Sequence, residues 1–480
     1  GRSPVWPEGP MLADSREQPV HAPLGVLNEE SLRWALAGEQ DAGAISQVLA
    51  IATAANEQSG EAGHSADSFA TYLEHPSLDV QRQACFALRS LGGAGCSYAK
   101  HVSALLGSSD SRVRTAAAEA LGALGPHGPG AAVALGLKGL LDDPALPVRC
   151  AALRAVGSLG DDSLLGEVVA HLSGEPAEVL AATCLSLAGM GAAISQEHVD
   201  RIAEHLEDGS TRLAALEALS RLGAGMAGKH ARRVVTCCLG DEDGLTRERA
   251  ILTLGRWADC AVEQKGVVDT LVEQLKSQDA YKRCAAALAL GYMGERALSH
   301  AQDISALLLD EAEDKIGLAS QVSGALMRLP PSMKKPRCAA VTALGMLGKA
   351  WVAEAKDSEE WEFEAKMEAC FKDEDWEVRV CALAAVLEMG ERSKVDVDAV
   401  AALLEDDVYH VRAGACGVLG ALGAADKVEQ LSDALEDPSP SVRAAALLAL
   451  GSMGEDAADH AAEVLRRLGD HAGAAALLAL

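Results

Sequence analysis

The sequence predicts an all-α protein, a solenoid in which about twelve helix pairs stack one after another. One pattern recurs: "DPSPSVRAAALLALGSMG" (437–454) matches "DPALPVRCAALRAVGSLG" (143–160) at eleven of eighteen positions. Apolar residues make up 49% of the 480 residues and aromatic residues only 3%. A core of Ala, Leu and Val suits closely packed helices better than strands, which favour β-branched and aromatic residues. Since a lone helix pair cannot bury its apolar face, copies in phase are expected to stack.

The repeat occurs eleven times, and ten copies end at glycine. The copies end at Gly92, Gly125, Gly160, Gly191, Gly223, Ala258, Gly294, Gly348, Gly390, Gly423 and Gly454. A twelfth copy begins near the end, where residues 474–480 repeat residues 444–450. The sequence starts without an initiator Met and stops inside a helical pattern, so some truncation is expected.

Each copy predicts one helix, closed by a glycine in the left-handed region. In the last full copy, Pro440 suits the first turn, and Ser439 or Asp437 can cap the free amides. The apolar residues of that copy fall on one face at a period of 3.6, namely Val442, Ala446, Ala449, Leu450 and Met453. A second amphipathic helix is predicted between copies, as in residues 456–470, with a buried stripe at Ala461, Val464, Leu465 and Leu468.

A second glycine lies three residues before the closing one in seven copies, at 122, 157, 255, 291, 345, 420 and 451. Glycine inside a helix costs about 1 kcal/mol relative to Ala. Close approach of the neighbouring helix is the expected compensation. Approach of a ligand is the alternative.

An arginine occupies the same position in nine of the eleven copies, and an aspartate precedes it by six residues in five of them. The arginines are Arg114, Arg149, Arg212, Arg247, Arg283, Arg337, Arg379, Arg412 and Arg443. The aspartates are Asp143, Asp241, Asp373, Asp406 and Asp437. We interpret the set as a structural ladder of charge-assisted hydrogen bonds, with each acid supplied by the arginine's own repeat. A phosphate-binding ridge is the alternative interpretation.

The unit D-P-x-x-x-V-R-x-x-A-x-x-A-L-x-x-L-G resembles the HEAT repeat, and in particular its short form, the phycobilisome-lyase HEAT-like repeat. The resemblance covers roughly residues 75–480. It implies a right-handed superhelix of about twelve HEAT-like helix pairs that holds partners along a curved surface. It does not imply one activity, because unrelated functions share this fold.

Three regions are predicted along the chain. Residues 1–28 contain five prolines and no helical period, which indicates an extended N-terminal arm that could lie on a partner. Residues 29–74 are predicted to hold degenerate N-terminal capping helices. Residues 75–480 form the repeat solenoid, with an irregular or inserted region at 295–376, where the spacing between copies is longer.

Part of the irregular region combines aromatic residues with charge. Residues 349–379 carry eleven acids and five bases, a net charge of −6. Such a composition is typical of protein interfaces, so five of the fifteen aromatic residues are candidates for partner binding: Trp351, Trp361, Phe363, Phe371 and Trp376. A longer A helix whose aromatic side chains pack inward is an equally open interpretation.

Composition narrows the function classes. A net charge of −28 argues against binding of nucleic acid and fits a basic protein partner. The sequence contains no run of eighteen apolar residues, so no membrane span is predicted. No C-x-x-C motif occurs among the twelve cysteines, and three of them follow arginine in "RCAA", which indicates core positions and an intracellular, reducing compartment.

The familiar catalytic patterns are absent from the sequence. It lacks the P-loop, the nucleophile elbow and the H-E-x-x-H motif. Deoxyhypusine hydroxylase, an enzyme built from HEAT-like repeats, holds iron through His-Glu pairs, and this chain has no His-Glu dipeptide. No catalytic residue, metal site or cofactor is therefore predicted.

These observations predict a non-enzymatic scaffold or adaptor, a subunit of a larger protein assembly. The alternative is a chromophore-lyase-like protein or cofactor chaperone, which would bind a tetrapyrrole or a client on the concave face. A transport receptor of the importin type ranks last, because the repeated Trp-Asn pairs that it would need are missing.

Overall fold

Each copy of the repeat forms one long helix, preceded by a shorter helical segment. A computed structural model describes residues 41–59, 66–125, 131–264, 266–310, 332, 334–354, 363–390 and 395–454. Helices and turns make up these described residues, with no β-strand among them. We call the helix of the repeated pattern the B helix and the segment before it the A helix. The contacts divide the chain into two units, residues 1–159 and 160–480.

In the first unit, three A helices alternate with three B helices after an initial long helix. The initial helix is α1 (Ala42–Ser59), which lies in the predicted capping region at 29–74. The A helices are α2 (Ala66–Ala70), α4 (Ala99–Ala104) and α6 (Ala131–Leu141). The B helices are α3 (Leu78–Ser90), α5 (Ser111–Leu124) and α7 (Leu146–Leu159).

The second unit continues the alternation. Its A segments contain α8 (Leu165–Ala170), α10 (Gln196–Glu204), α12 (Ala224–Ala227), α13 (Ala231–Cys238), α15 (Ala258–Glu263), α16 (Val267–Gln274), α18 (Ala301–Ser305), α20 (Phe363–Phe371), α22 (Val397–Ala401) and α24 (Val428–Asp433). Its B helices are α9 (Ala177–Met190), α11 (Arg212–Leu222), α14 (Gly244–Arg256), α17 (Ala280–Tyr292), α19 (Pro336–Glu354), α21 (Trp376–Met389), α23 (Tyr409–Ala421) and α25 (Pro440–Met453).

The B helices form the core through the predicted apolar face. In α25 the buried residues are the five that the period of 3.6 selects, Val442, Ala446, Ala449, Leu450 and Met453. Several B helices begin at an aspartate whose carboxylate accepts a backbone N–H of the first turn, as at Asp279 and Asp375. Of the two capping residues predicted for α25, Ser439 makes no side-chain cap, whereas Asp437 accepts the N–H of Ser439 at 2.8 Å.

The internal glycines allow B helices of successive repeats to touch, which confirms the expected packing role. A Cβ atom at Gly122 would lie 2.9 Å from Cα of Ala155, and one at Gly420 would lie 2.6 Å from Cα of Ala449. Nine of the ten closing glycines adopt positive φ as predicted, for example 78° at Gly125, and Gly348 is the exception. Close approach and chain reversal therefore use two different glycines of the same repeat.

Two details of the repeat differ from prediction. Helix α19 runs through Gly348 to Glu354 instead of closing at the glycine, because good helix formers follow it. Many A segments are composites of a short α-helix with 3₁₀ turns, as in Gly294–His300, α18 and Ala306–Leu309. Short 3₁₀ pieces are common at the ends of α-helices and in connections between them.

Some predicted regions lie outside the described residues. They are the arm at 1–28, residues 29–40 of the capping region, residues 311–331 of the irregular region, the A helix at 456–470 and the twelfth copy. The three-region division therefore stays a prediction.

Candidate functional site: the arginine ladder and an aromatic turn

The arginine ladder runs along the turns between A and B helices, and Arg412 shows its geometry. Its Nη1 donates to the carbonyl oxygen of Asp406, six residues earlier, at 2.8 Å. Its Nε and Nη2 donate to Oδ2 and Oδ1 of Asp437 at 2.7 and 2.9 Å. The Asp437 carboxylate also accepts the N–H of Ser439. One guanidinium thus joins its own turn to the turn of the next repeat.

The acidic partner comes from the following repeat, so assigning it to the arginine's own repeat was wrong. The own-repeat aspartate contributes its backbone carbonyl instead, because that oxygen points back along the turn towards the guanidinium. The described pairs are Arg114–Asp143, Arg212–Asp241, Arg283–Asp310, Arg337–Asp373, Arg379–Asp406 and Arg412–Asp437. Their partners lie 25 to 36 residues apart in sequence.

Three of these pairs lower the pKa of their carboxyl group, those of Asp143, Asp406 and Asp437. The Arg412 guanidinium holds the pKa of Asp437 below its ordinary value, against the opposing effect of burial. Burial by itself would raise the pKa of Asp143, but hydrogen bonds from Arg114 and the N–H of Ala145 lower it overall. The carboxyl groups of Asp143 and Asp437 are therefore held in the charged form at neutral pH, opposite the guanidiniums of Arg114 and Arg412.

One junction replaces the carboxylate with an aromatic ring. Arg247 is 1% exposed and donates to the carbonyl oxygens of Asp241 and Glu242 at 2.6 and 3.1 Å. The residue equivalent to the missing aspartate is Ser277. The Arg247 guanidinium lies over the ring of Tyr281 instead, 4.3 Å from the ring centroid.

The two remaining ladder arginines bind backbone carbonyls among the contacts described. Arg149 donates to the carbonyl oxygen of Asp143 at 2.9 Å, and Arg443 donates to that of Asp437 at 2.8 Å. With the guanidiniums already engaged in this way, the geometry supports a structural role over a phosphate-binding ridge.

Two of the five aromatic candidates have side chains that the structure describes, and they differ in burial. Phe371 is buried, at 3% exposure, against the core of α20 and α21. Trp376 is 37% exposed at the first position of α21. The side chains of Trp351 and Phe363, and the whole of Trp361, lie outside the described residues.

Trp376 belongs to an aromatic turn, which we define as Trp376, Tyr409 and His410. The ring of His410 stacks on Trp376 with centroids 5.4 Å apart and planes at 15°. Tyr409, also exposed, lies 4.0 Å from His410 by ring centroid. Sequence reasoning missed Tyr409 and His410, although both sit two or three residues before Arg412, as Trp376 does before Arg379.

Acidic groups flank the aromatic turn. The side chain of Asp407 is 87% exposed and accepts from Nη2 of Arg379 at 3.2 Å. Glu374 is also exposed, two residues before Trp376. The ladder holds the turns before α21 and α23 in place, since Arg379 donates to the carbonyl oxygen of Asp373 and binds Asp406. The surface is therefore aromatic, acidic and held by partly buried charge pairs.

A separate open groove of about 580 Å³ lies between α10 and α13. Acids on one side oppose bases on the other: Lys229 and His230 contact Asp200 at 2.5 and 2.9 Å, and Arg233 lies 3.6 Å from Glu207. Burial lowers the pKa of His230, although Asp200 opposes the change. The facing charges neutralise one another, so the groove shows no built site for a charged ligand.

The described residues show neither a metal site nor a membrane-spanning helix. Within the ranges given above, no three His, Cys, Asp or Glu side chains are placed to hold a metal ion. None of the helices in those ranges is both long and apolar enough to cross a membrane. The "RCAA" cysteines Cys150, Cys284 and Cys338 are buried, as predicted.

Comparison with known proteins supports the repeat. The family of HEAT repeats matches residues 66–136 and 397–480. The chain is similar in structure to Kap121p, with a TM-score of 0.54 and 14% identity over 93% of this chain and 52% of that one. It is similar to Kap121p bound to Pho4p (TM-score 0.57, 13% identity, 91% and 51%) and bound to the SUMO protease Ulp1p (0.56, 14%, 91% and 52%).

The chain thus spans about half the length of the solved structures that it matches. At 13–14% identity, this likeness establishes the fold and nothing about partners. None of the curated protein sequences matches the chain.

Proposed function

We propose that this chain, which matches the family of HEAT repeats over residues 66–136 and 397–480, is a non-enzymatic scaffold subunit that binds a basic segment of a partner protein. The observation that carries the proposal is the aromatic turn beside exposed carboxylates. Aromatic residues are enriched where interfaces gain most of their binding energy. The free thiol state of all twelve cysteines fits a reducing compartment, which we include in the proposal.

The aromatic turn suits a cationic ligand. Tryptophan is the best ring for attracting a guanidinium or ammonium group. The chain itself makes this type of contact at an equivalent turn, where Arg247 covers Tyr281. At the aromatic turn, His410 covers one side of Trp376, which leaves part of the indole open to an incoming side chain.

The charge around the aromatic turn favours the same ligand. Residues 395–454 contain ten acids and three bases, a net charge of −7. Two of those bases, Arg412 and Arg443, are engaged by the ladder. An acidic surface of this kind accelerates encounter with a basic partner and disfavours acidic ones.

Rigidity adds to the argument. Trp376 and His410 sit at the first turns of α21 and α23, and both turns are pinned by guanidinium–carboxylate pairs. A preorganised aromatic surface loses little side-chain entropy on binding. The solved neighbours named above bind proteins, Pho4p and Ulp1p, and this likeness of fold is compatible with a protein partner.

The test is binding of a fluorescent arginine–serine peptide to the full chain, followed by anisotropy. Trp376→Ala is expected to weaken binding at least tenfold, since loss of a hot-spot aromatic costs about 2 kcal/mol. Tyr292→Ala is the matched control, because Tyr292 is an exposed aromatic residue on another B helix. Equal affinity of the Trp376 variant, or equal binding of a glutamate–serine peptide, would reject the basic-segment proposal.

Assembly is tested separately. In gentle lysates at native abundance, the chain should migrate in a complex larger than its own mass. Migration as a lone monomer would count against a scaffold role. The alternative function, a lyase-like or cofactor-chaperone protein, stays a prediction: titration with a tetrapyrrole should change the absorbance spectrum if it holds, and a flat spectrum removes it.

A further inference from the structure

At the junction between α14 and α17, the ladder arginine Arg247 meets no carboxylate among the described residues. Its Nη1 donates to the carbonyl oxygens of Asp241 and Glu242, as Nη1 of Arg412 does with the two residues at the same register. This shared contact gives both guanidiniums the same orientation on their own turns. In Arg412, Nε and Nη2 then reach the carboxylate of Asp437 in the next repeat.

The edge of Arg247 that should reach the next turn lacks an acceptor. Arg247 is 1% exposed, and its buried Nη2 has no hydrogen-bond partner in the part of the chain that the structure describes. The ring of Tyr281 lies 4.3 Å from the guanidinium. A guanidinium stacks on a ring through its flat face, whereas its N–H groups point outward in its plane. The ring therefore leaves Nη2 unsatisfied, which is costly for a buried charged donor.

Ser277 occupies the place of the missing acid. It stands six residues before the ladder arginine of its own repeat, as Asp437 does. Its Oγ accepts the N–H of Asp279, two residues on, at 3.2 Å, and Asp437 makes the same bond to Ser439 at 2.8 Å. The serine keeps the bond within the turn but lacks the charge that binds the preceding repeat. A phosphoryl group on Oγ supplies that charge, between about −1.5 and −2 at pH 7, and three acceptor oxygens.

A second cation lies at the same junction. Valine precedes the ladder arginine in five copies, whereas Lys282 takes that position in α17. Its stem packs against Gly240, where an added Cβ atom would overlap the ε-carbon of Lys282. The ammonium group, one bond beyond that carbon, is therefore held near the turn before α14. Asp241 of that turn already pairs with Arg212. Arg247 and Lys282 thus bring two cations to a junction where the register supplies no acid.

Serine at this register does not by itself identify the site. Ser108 also stands six residues before a ladder arginine, and its Oγ accepts the N–H two residues on at 3.3 Å. The residue at the arginine position of the preceding repeat is Gln81, whose amide has no charge to pair with a phosphate. Ser277 differs because the equivalent residue of the preceding repeat is Arg247.

We propose that Ser277 is a phosphorylation site, at which phosphoserine completes the ladder by binding Arg247 of the preceding repeat. A protein kinase transfers the γ-phosphoryl group of ATP to Oγ of Ser277. The new P–O bond forms, the bond to the β-phosphate oxygen breaks, ADP leaves, and the hydroxyl proton is released. The turn is accessible to such an enzyme, since Ser277 is half-buried between the exposed residues Lys276 and Gln278.

The modification makes one junction of the ladder switchable. At the paired junctions the sequence supplies the acid, whereas here the charge depends on the phosphate, which a phosphatase removes by hydrolysis. Charge-assisted hydrogen bonds from Arg247 would tie the turn before α14 to the turn before α17 and slow the opening of these two helices. This inference does not depend on the proposed partner.

The test compares the unmodified full chain with a chain in which an expanded genetic code installs phosphoserine at position 277. The phosphorylated chain should melt at a higher temperature. Backbone amides of α14 and α17 should exchange hydrogen about tenfold more slowly, the factor expected of one charge-assisted hydrogen bond. Ser277→Asp, which restores the acid of the other repeats, should give part of this protection. Gln278→Asp is the matched control, because it adds the same charge to the exposed neighbour and should give none.

Arg247→Gln separates pairing from added charge, because phosphorylation should give no protection in that variant. If the variant does not fold, the comparison of Ser277→Asp with Gln278→Asp carries the test with Arg247 intact. Equal melting of the phosphorylated and unmodified chains would overturn the proposal. Equal protection of the unmodified chain by inorganic phosphate would also overturn it, since that result identifies a site for a free anion.

Occupancy is tested on the chain isolated from its own cells with phosphatase inhibitors. Trypsin cleaves after Lys276 and Lys282, so mass spectrometry should find phosphate on Ser277 in the peptide 277–282. Absence of phosphate from that peptide would contradict a phosphorylation site.

Discussion

Gly417 and Gly420 lie one turn apart on α23 and give a matched pair of substitutions. A Cβ atom at Gly420 would lie 2.6 Å from Cα and 2.7 Å from Cβ of Ala449 on α25. No heavy atom of a neighbour lies within 4 Å of the equivalent position at Gly417. The same change to alanine therefore meets a helix backbone at one site and open space at the other.

The magnitudes follow from these distances. Alanine in a helix interior gains about 1 kcal/mol over glycine at either position. At Gly420 the methyl group would force α23 and α25 apart, because ordinary contacts begin near 3.4 Å, and overpacking costs about 1–3 kcal/mol. The variant would also strain the hydrogen bond from Ser452 to the carbonyl oxygen of Gly420. We expect Gly417→Ala to stabilise by about 1 kcal/mol and Gly420→Ala to destabilise by up to about 2 kcal/mol.

Urea unfolding of the two variants, followed by circular dichroism, measures the difference. Hydrogen exchange of α23 and α25 shows whether the change is local, as expected for a stack in which each repeat contacts its neighbours. Equal stabilisation by both substitutions would refute the close packing of these helices. Destabilisation by Gly417→Ala would refute the open surface on α23.

Three further predictions concern the ladder and the caps. Arg412→Met should lower the free energy of unfolding by about 2 kcal/mol, a value between the contributions typical of exposed and of buried ion pairs. A double-mutant cycle measured by urea unfolding tests the pairing. Additive effects of Arg412→Met and Asp437→Asn would contradict a direct pair. The folded pKa of Asp437 lies below its ordinary value of about 3.9, so the stabilisation by its charge should be complete above that pH and be lost as the pH falls through the folded pKa. Unfolding measured at a series of acidic pH values should show the Arg412→Met variant losing less stability on acidification than the parent. Parallel curves for the two proteins would exclude this linkage. Asp243→Ala removes the carboxylate that accepts the N–H of Thr246 at 2.9 Å, and thermal unfolding should show a loss of stability of about 1 kcal/mol. Asp426→Ala is the control, because Asp426 is an exposed acid on a 3₁₀ turn.

The sequence was sufficient to predict the fold, because each copy of the repeat must pack against neighbouring copies of the same pattern. The apolar face of α25 and the glycine contacts between B helices follow from copies that must fit identical neighbours. Local winding of the A segments was less predictable, since α and 3₁₀ turns share the same apolar spacing over one turn. The end of α19 was missed because its closing glycine, Gly348, is followed by residues that favour a helix.

The candidate site was predicted in part. The arginines and aspartates were found, but periodicity within one copy does not say which neighbour a side chain reaches. The useful signal lay between copies: where the aspartate is replaced by Ser277, the arginine of the preceding repeat, Arg247, turns to the ring of Tyr281. The contact of Trp376 with His410 joins residues of two repeats, so neither repeat predicts it alone.

The aspartates of the ladder make two kinds of contact, one within their own turn and one to the arginine of the preceding repeat. These two contacts explain why the aromatic turn lies where it does. The carboxylate of Asp406 accepts the N–H of Val408 at 2.9 Å and binds Arg379 of the preceding repeat. The shape of each turn is thereby coupled to the neighbouring repeat, and the turns become anchored points along the stack. A side chain exposed there is held by two repeats, which is the preorganisation that a binding surface requires. Loss of Asp406 should therefore weaken peptide binding at Trp376 without removing any group that touches the peptide, and Asp433→Asn, on the exposed face of α24, should not.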